Sequence, residues 1–220
     1  MPKISIIIPC YYNEGNIPVT GPALIENERQ FPDDVSFEYV FVNDGSKDNT
    51  LQELLKFKAQ YPEKVTVINL AKNVGSNNAS YCGIANMTGD CGVILAADLQ
   101  DPPELIPQMM DHWRKGMKLV VAHRSDREDP WHQKMISNTY HNLMRTLAIT
   151  NAPKGGVDLW LFDKQLAQEV VKMDDKNTYL PYLFLWTGFP YVAIPYVRRK
   201  REIGKSRWTF KKKIKSFIDS

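Results

Sequence analysis

The run Val93 to Glu104, VILAADLQDPPE, constrains this chain more than any other stretch. Five apolar residues stop at a carboxylate, a second carboxylate follows, and two prolines then forbid continuation of a strand. Val93 to Ala97 is too short for a helix and reads as a fully buried strand, and Pro102-Pro103 with Glu104 reads as a helix start. Asp98 and Asp101 then sit at the carboxyl end of a buried strand, which is where open α/β sheets bind ligands. The oxygens of Asp98, Gln100 and Asp101 are hard donors suited to Mg²⁺ or Mn²⁺ already holding a phosphate. The same residues also fit a plain polar turn with an aspartate capping a helix, and the stretch alone does not decide between the two.

The rest of the chain repeats the pattern. Ile4–Ile8, Phe37–Val42, Val65–Leu70 and Lys118–Ala122 read as further strands, and helical segments are expected over Asn16–Arg29, Leu51–Tyr61, Asn77–Met87 and Glu104–Lys115. Short apolar runs alternating with helices predict a parallel sheet with right-handed crossovers. Glu14 follows the first strand, Asp44 the second, Asp98 and Asp101 the fourth, and His123 with Arg124 the fifth. A parallel sheet brings all of them to one edge, where acids repel unless a cation or hydrogen-bond donors join them.

The second half is less regular. Trp131–Ile149 carries a helical apolar stripe, Tyr179–Trp186 is expected to be helical, and Tyr191–Val197 alternates as a strand. Asp158 stands between the glycines of NAPKGG and a run of large apolar residues. It reads as support for that loop or as a charge turned into the site.

At 220 residues and 43% hydrophobic content, one core and one domain spanning 1–220 are expected. Cys10, Cys82 and Cys91 are odd in number without CxxC spacing, which argues against a disulfide framework and a zinc site. No apolar stretch reaches the roughly 18 residues of a membrane span. Arg198 to Lys215 carries +9 against an overall +3, so the remainder carries −6. Within that tail, Phe210, Ile214, Phe217 and Ile218 recur at helical spacing among Lys211, Lys212, Lys213 and Lys215. This predicts a basic amphipathic helix over about 207–220 that rests on a membrane surface, or whose stripe packs on the domain. A nucleic-acid partner is set aside, because the body is acidic and no recognised nucleic-acid motif is present. The residues leave a homo-oligomer open.

Five further segments carry a family resemblance. IIIPCYYNEGNI matches an opening P-x-Y-N-E motif with one residue extra, and VNDGSKDNT matches D-G-S-x-D. LAKNVGSNNASYCGI matches an R-N-x-G loop with Lys72 for Arg, GGVDLWLFDK matches G-x-D-F-x-L-x-D, and REIGKSRW matches R-x-x-G-x-S-K-Y. Each is weak alone, but five in order make the chain resemble the family 2 glycosyltransferases of the GT-A fold. Within them it is most similar to the polyprenyl-phosphate glycosyltransferases, such as the dolichol-phosphate mannosyltransferases and bactoprenol glucosyltransferases. The resemblance implies a Rossmann-like, mostly parallel sheet flanked by helices, and transfer of a sugar from a nucleotide diphosphate sugar to a polyprenyl phosphate at the cytoplasmic face of the membrane.

It also implies roles. Pro9, Tyr12, Glu14, Asp44, Lys72 and Asp98 would bind the nucleotide sugar, and Asp98 and Gln100 the Mg²⁺ or Mn²⁺. Asp98, Asp158 and Arg201 would be catalytic, and Arg124, Arg201, Ser206 and Arg207 would meet the acceptor phosphate, with Arg127 and Lys134 weaker candidates. Arg198 to Lys200 read as an exposed basic face. The family's D-A-D-L-Q-D has Ala96 for its first aspartate here, which predicts weaker metal binding, or a degenerate homologue that only binds nucleotide sugar. An acceptor hydroxyl in surface polysaccharide synthesis remains the alternative to a lipid phosphate. Related enzymes continue into membrane-spanning helices where this chain stops, at Asp219-Ser220, so a truncated or surface-resting form is expected.

Overall fold

A computed structural model of the chain describes residues 1–124, 157–175 and 179–199. A seven-stranded sheet runs through these residues: β1 Lys3–Cys10, β2 Ser36–Asn43, β3 Val65–Asn69, β4 Cys91–Ile94, β5 Leu119–Arg124, β6 Val157–Asp163 and β7 Tyr191–Tyr196. Their order across the sheet is β3-β2-β1-β4-β6-β5-β7. Six strands point the same way, and only β6 runs against its neighbours β4 and β5.

The strands are β-branched and apolar because both faces are covered, as parallel sheets require. On β1, Ile4, Ile6 and Ile8 enter one core with Tyr39, Phe41, Leu54, Phe57 and Met109, while Ile7 enters a second core with Val40, Val42, Ala79, Ile84 and Phe184. This period of two dictates which helices lie on which side. Helices α1 Ile17–Asn27, α2 Thr50–Gln60 and α4 Ile106–Arg114 supply the first face. The second face is covered by α3 Ser76–Ala85, α5 Lys164–Met173 and α6 Leu180–Trp186.

The mostly parallel sheet flanked by helices stands as expected, with three differences. Strand β4 ends at Ile94 rather than Ala97, although Leu95 N still donates to Ile7 O at 2.9 Å. Beyond it the chain turns out of the ladder, and Pro103–Leu105 forms a 3-10 turn before α4. The antiparallel β6 separates β4 from β5, which neighbouring runs of the sequence would have paired. Helix α5 is an addition to the expected elements, although Asp163 caps it by accepting from Gln165 N at 2.9 Å, a start signal of the ordinary kind. The helices expected over 131–149 and about 207–220 lie outside the described residues. No helix among the described residues is long and apolar enough to cross a membrane.

Candidate active site

Because β1 to β5 and β7 are parallel, their carboxyl ends and the start of β6 share one edge. Two strained residues mark it. Tyr12, just past β1, and Leu99, just past β4, have φ of +56° and +53°. A side chain tolerates that left-handed conformation only where the surroundings enforce it, at about 1–3 kcal/mol each, and such residues gather at functional sites.

On the β1–β3 side, three loops are laced together. Tyr12 N donates to Ser46 Oγ at 3.0 Å, Asn13 N to Thr50 Oγ1 at 2.8 Å, and Asn49 N to Glu14 Oε2 at 2.8 Å. Asp44 is 2% exposed, and its carboxylate accepts from Asn73 Nδ2 at 2.7 Å, Val74 N at 2.7 Å and Gly75 N at 3.1 Å. It therefore clamps the Lys72–Gly75 loop, and its charge is met by two backbone N–H donors and the Asn73 amide. Gly45, at φ +62°, lies so close to that loop that a Cβ would stand 2.4 Å from Lys72 C. Glu14 and Lys72 are exposed on this side. Pro9 pairs with Val42 of β2 but lies past the β4 pairing, so its missing N–H leaves no gap there.

The acids on the other side form a tighter group. Asp98 is partly buried, and its Oδ1 accepts from Gln100 N at 3.2 Å, closing the turn around Leu99. Asp101 is 3% exposed. Tyr196 Oη lies 2.7 Å from Asp101 Oδ1 and 2.9 Å from Asp158 Oδ2. Arg198 Nε stands 3.1 Å from Asp101 Oδ1, outside hydrogen-bond geometry, and Nη1 stands 3.9 Å from Asp158 Oδ1. Burial pushes the Asp101 carboxyl above its ordinary range; Arg198 opposes the shift, while Asp158 and Asp98 reinforce it. Burial, then the two carboxylates, raise the Tyr196 phenol as well, so it stays a donor. Arg199 N donates to Gln100 O at 3.0 Å and its guanidinium meets Glu104 at 3.1 Å, so the chain after β7 is strapped to the turn after β4. His123 Nδ1 is buried at the same edge without a hydrogen-bond partner among the described residues.

The structure thus brings Asp98, Gln100 and Asp158 of the expected set to one end of the sheet, while Glu14 and Asp44 stabilise the loops on the β1–β3 side. Arg201, Ser206, Arg207, Arg127, Lys134 and the side chain of Arg124 lie outside the described residues. Two participants are additions to that set. The sequence assigns Tyr196 no role and reads Arg198 as surface, yet Ile194, Tyr196 and Arg198 follow one another at period two from a buried residue, which is the signal that could have found them. Asp101, read from the sequence as a hard oxygen donor, meets Tyr196 and Arg198.

Among the described residues no three His, Cys, Asp or Glu side chains gather to hold a metal. The donors that remain, the Asp98 carboxylate and the Gln100 amide, fit a cation that arrives with its own phosphate oxygens, since Mg²⁺ commonly uses one or two carboxylates plus phosphates and water.

The sequence profile described as "Glycosyl transferase family 2" matches residues 5–172. The chain belongs to glycosyltransferase family 2. The family match spans β1 through most of α5, and so includes both loop groups and Asp158. Among relatives, an uncharacterized glycosyltransferase YkcC of Bacillus subtilis (strain 168) is 32% identical over 99% of this chain and 67% of that protein. A bactoprenol glucosyl transferase of Shigella phage SfX is 28% identical over 94% of this chain and 67% of that protein. The chain spans about two thirds of the length of the curated relatives it matches. In fold, it is similar to the mannosyltransferase PcManGT from Pyrobaculum calidifontis, solved with GDP-Man and Mn²⁺. The TM-score is 0.61 at 16% identity, covering 90% of this chain and 56% of that one. The family 2 match and this likeness establish the GT-A architecture.

Proposed function

We propose that this chain transfers a sugar, with inversion, from a nucleotide diphosphate sugar to the phosphate of a polyprenol at the cytoplasmic face of a membrane. The observation that carries the reading is the similarity to bactoprenol glucosyl transferases over most of the chain. In the structure the Asp158 carboxylate lies 2.9 Å from Tyr196 Oη and 3.9 Å from the Arg198 guanidinium, which hold it in place at the strand edge. A sugar hydroxyl needs help from a general base. A phosphate monoester, with its second pKa about 6, is already largely ionised near neutrality and needs only to be positioned.

In this reading the nucleoside rests on the loops that Asp44 and Gly45 hold together, with Glu14, Tyr12, Pro9 and Lys72 around it. Asp98 and Gln100 would hold the Mg²⁺ or Mn²⁺, and the cation would supply charge neutralisation for the leaving diphosphate. Arg198 offsets the charge of Asp101 and Asp158, so a dianionic acceptor can approach them. Arg124, Arg201, Ser206 and Arg207 are the acceptor-phosphate candidates, guanidinium forks being suited to phosphate oxygens. The basic tail brings the site to a lipid surface.

The test is a donor panel of UDP and GDP sugars with Mn²⁺, offered with a short prenyl phosphate and, separately, with saccharide acceptors. Sugar recovered in the prenyl phosphate fraction is the expected result. Transfer only to saccharides would overturn the acceptor class, and nucleotide-sugar binding without any transfer would make the chain a degenerate homologue.

A further inference from the structure

Asp158 lies on a β-bulge. Ala122 pairs with Leu159 and the next residue, His123, pairs with Val157, so Asp158 is the extra residue on β6. Regular alternation would put Asp158 on the face of Trp160 and Phe162, which belong to the second core. The bulge turns it instead toward the face of Leu159, where β7 presents Ile194 and Tyr196. Bulges beside active sites re-aim a side chain in this way, but they also take the residue out of the ladder that would fix it.

We propose that Tyr196 is the positioning residue that sets the Asp158 carboxylate against the acceptor. The proposal rests on the reading of Asp158 as the carboxylate on the acceptor side. Tyr196 is suited to positioning because its ring is 5% exposed and packed in the first core, which leaves its hydroxyl little freedom. That hydroxyl is held at 2.7 Å from Asp101 Oδ1 and reaches Asp158 Oδ2 at 2.9 Å. Asp101 is itself buried in the turn after β4. The placement of Asp158 is thus referred, through one phenol, to the same turn that carries Asp98 and Gln100. The donor-side turn and the acceptor-side acid are kept in register by a residue of the edge strand β7.

Tyr196→Phe keeps the ring and removes the hydroxyl. It is expected to lower kcat about 10- to 100-fold, the size of effect a small misplacement of a reacting group produces. The KM for the nucleotide sugar should change less than about twofold, since the nucleoside loops lie on the far side of the sheet; a purely structural loss would move both. In the Asp158→Asn background the same substitution should cost nothing further, because the residue it positions is gone. Equal losses in both backgrounds, or full kcat in Tyr196→Phe, overturn the proposal. The cycle is run on whichever acceptor the panel shows to be used, so failure of the lipid-phosphate reading does not decide it. If no acceptor is turned over, tyrosine labelled with ¹³C at Cζ supplies the readout. The Tyr196 signal, identified by its loss in Tyr196→Phe, must shift in Asp158→Asn; a signal that stays in place overturns the proposal.

Discussion

Leu99 holds its strained φ of +53° in the turn between Asp98 and Gln100, just past the core residues Leu95 and Ala97. Among single residues Asp98 is the most exacting. The bond it accepts from Gln100 N closes a local turn, so Asp98→Ala should leave the fold intact while reducing transfer at least about 100-fold, as loss of a main electrostatic stabiliser does. Circular dichroism and turnover of the purified variant check both halves. Ala96, partly buried just before it, stands where the family carries a further aspartate. Ala96→Asp should tighten Mn²⁺ binding in the presence of nucleotide, read by calorimetry. At the opposite edge of the sheet, Glu38 is 8% exposed and meets Lys3 Nζ at 2.8 Å, Ser5 Oγ, the Thr88 hydroxyl and amide, and Gly89 N. Burial alone would raise its pKa, but these donors together outweigh burial and lower it from 4.5 to about 2. A depressed folded pKa contributes stability that is fully present above the unfolded value and is lost as pH falls toward the folded one. Glu38→Gln should therefore cost about 2 kcal/mol at pH 7, with the cost shrinking between about pH 5 and pH 2. Urea titrations across that range measure it.

Among the elements, the contact between the β2–α2 and β3–α3 loops is the one on which the proposed nucleoside site would depend. Gly45 permits it, since any Cβ there would collide with the Lys72–Asn73 backbone, and the φ of +62° is itself unfavourable for other residues. Gly45→Ala should separate the loops, destabilise the protein by about 1–3 kcal/mol and weaken nucleotide binding more than tenfold, with metal binding in excess nucleotide less affected. Thermal melts and nucleotide titrations measure the two effects. The pattern of turn residues around Asp44 announces a loop. That Asp44 is bonded by a second loop does not follow from it, because its partners Asn73, Val74 and Gly75 lie about thirty positions away. Helix α5 is hard to read for a different reason, since its start is signalled only by Asp163 at the end of an apolar strand.

For the molecule as a body, the relevant asymmetry is an acidic bulk with a tail of +9. Each Lys or Arg near an anionic leaflet contributes roughly 1 kcal/mol, and Phe210, Ile214, Phe217 and Ile218, if helical as their spacing predicts, would add to it. The chain should cosediment with anionic vesicles well above its retention on neutral ones, with the excess lost at high salt. Equal retention on both would remove the membrane surface from the account while leaving the transferase chemistry in place.

Local periodicity and short contiguous motifs were enough to establish the alternation of buried strands and helices, the edge to which Asp98 comes, and the family. Folding alone added the antiparallel entry of β6 between β4 and β5, the bulge that turns Asp158 across the sheet, and the meeting of Tyr196 and Arg198 with Asp158 and Asp101. A hydrogen bond between residues 38 or 95 positions apart leaves no periodic trace in either segment. It forms only after the cores on both faces have brought β6, β7 and the turn after β4 to the same edge.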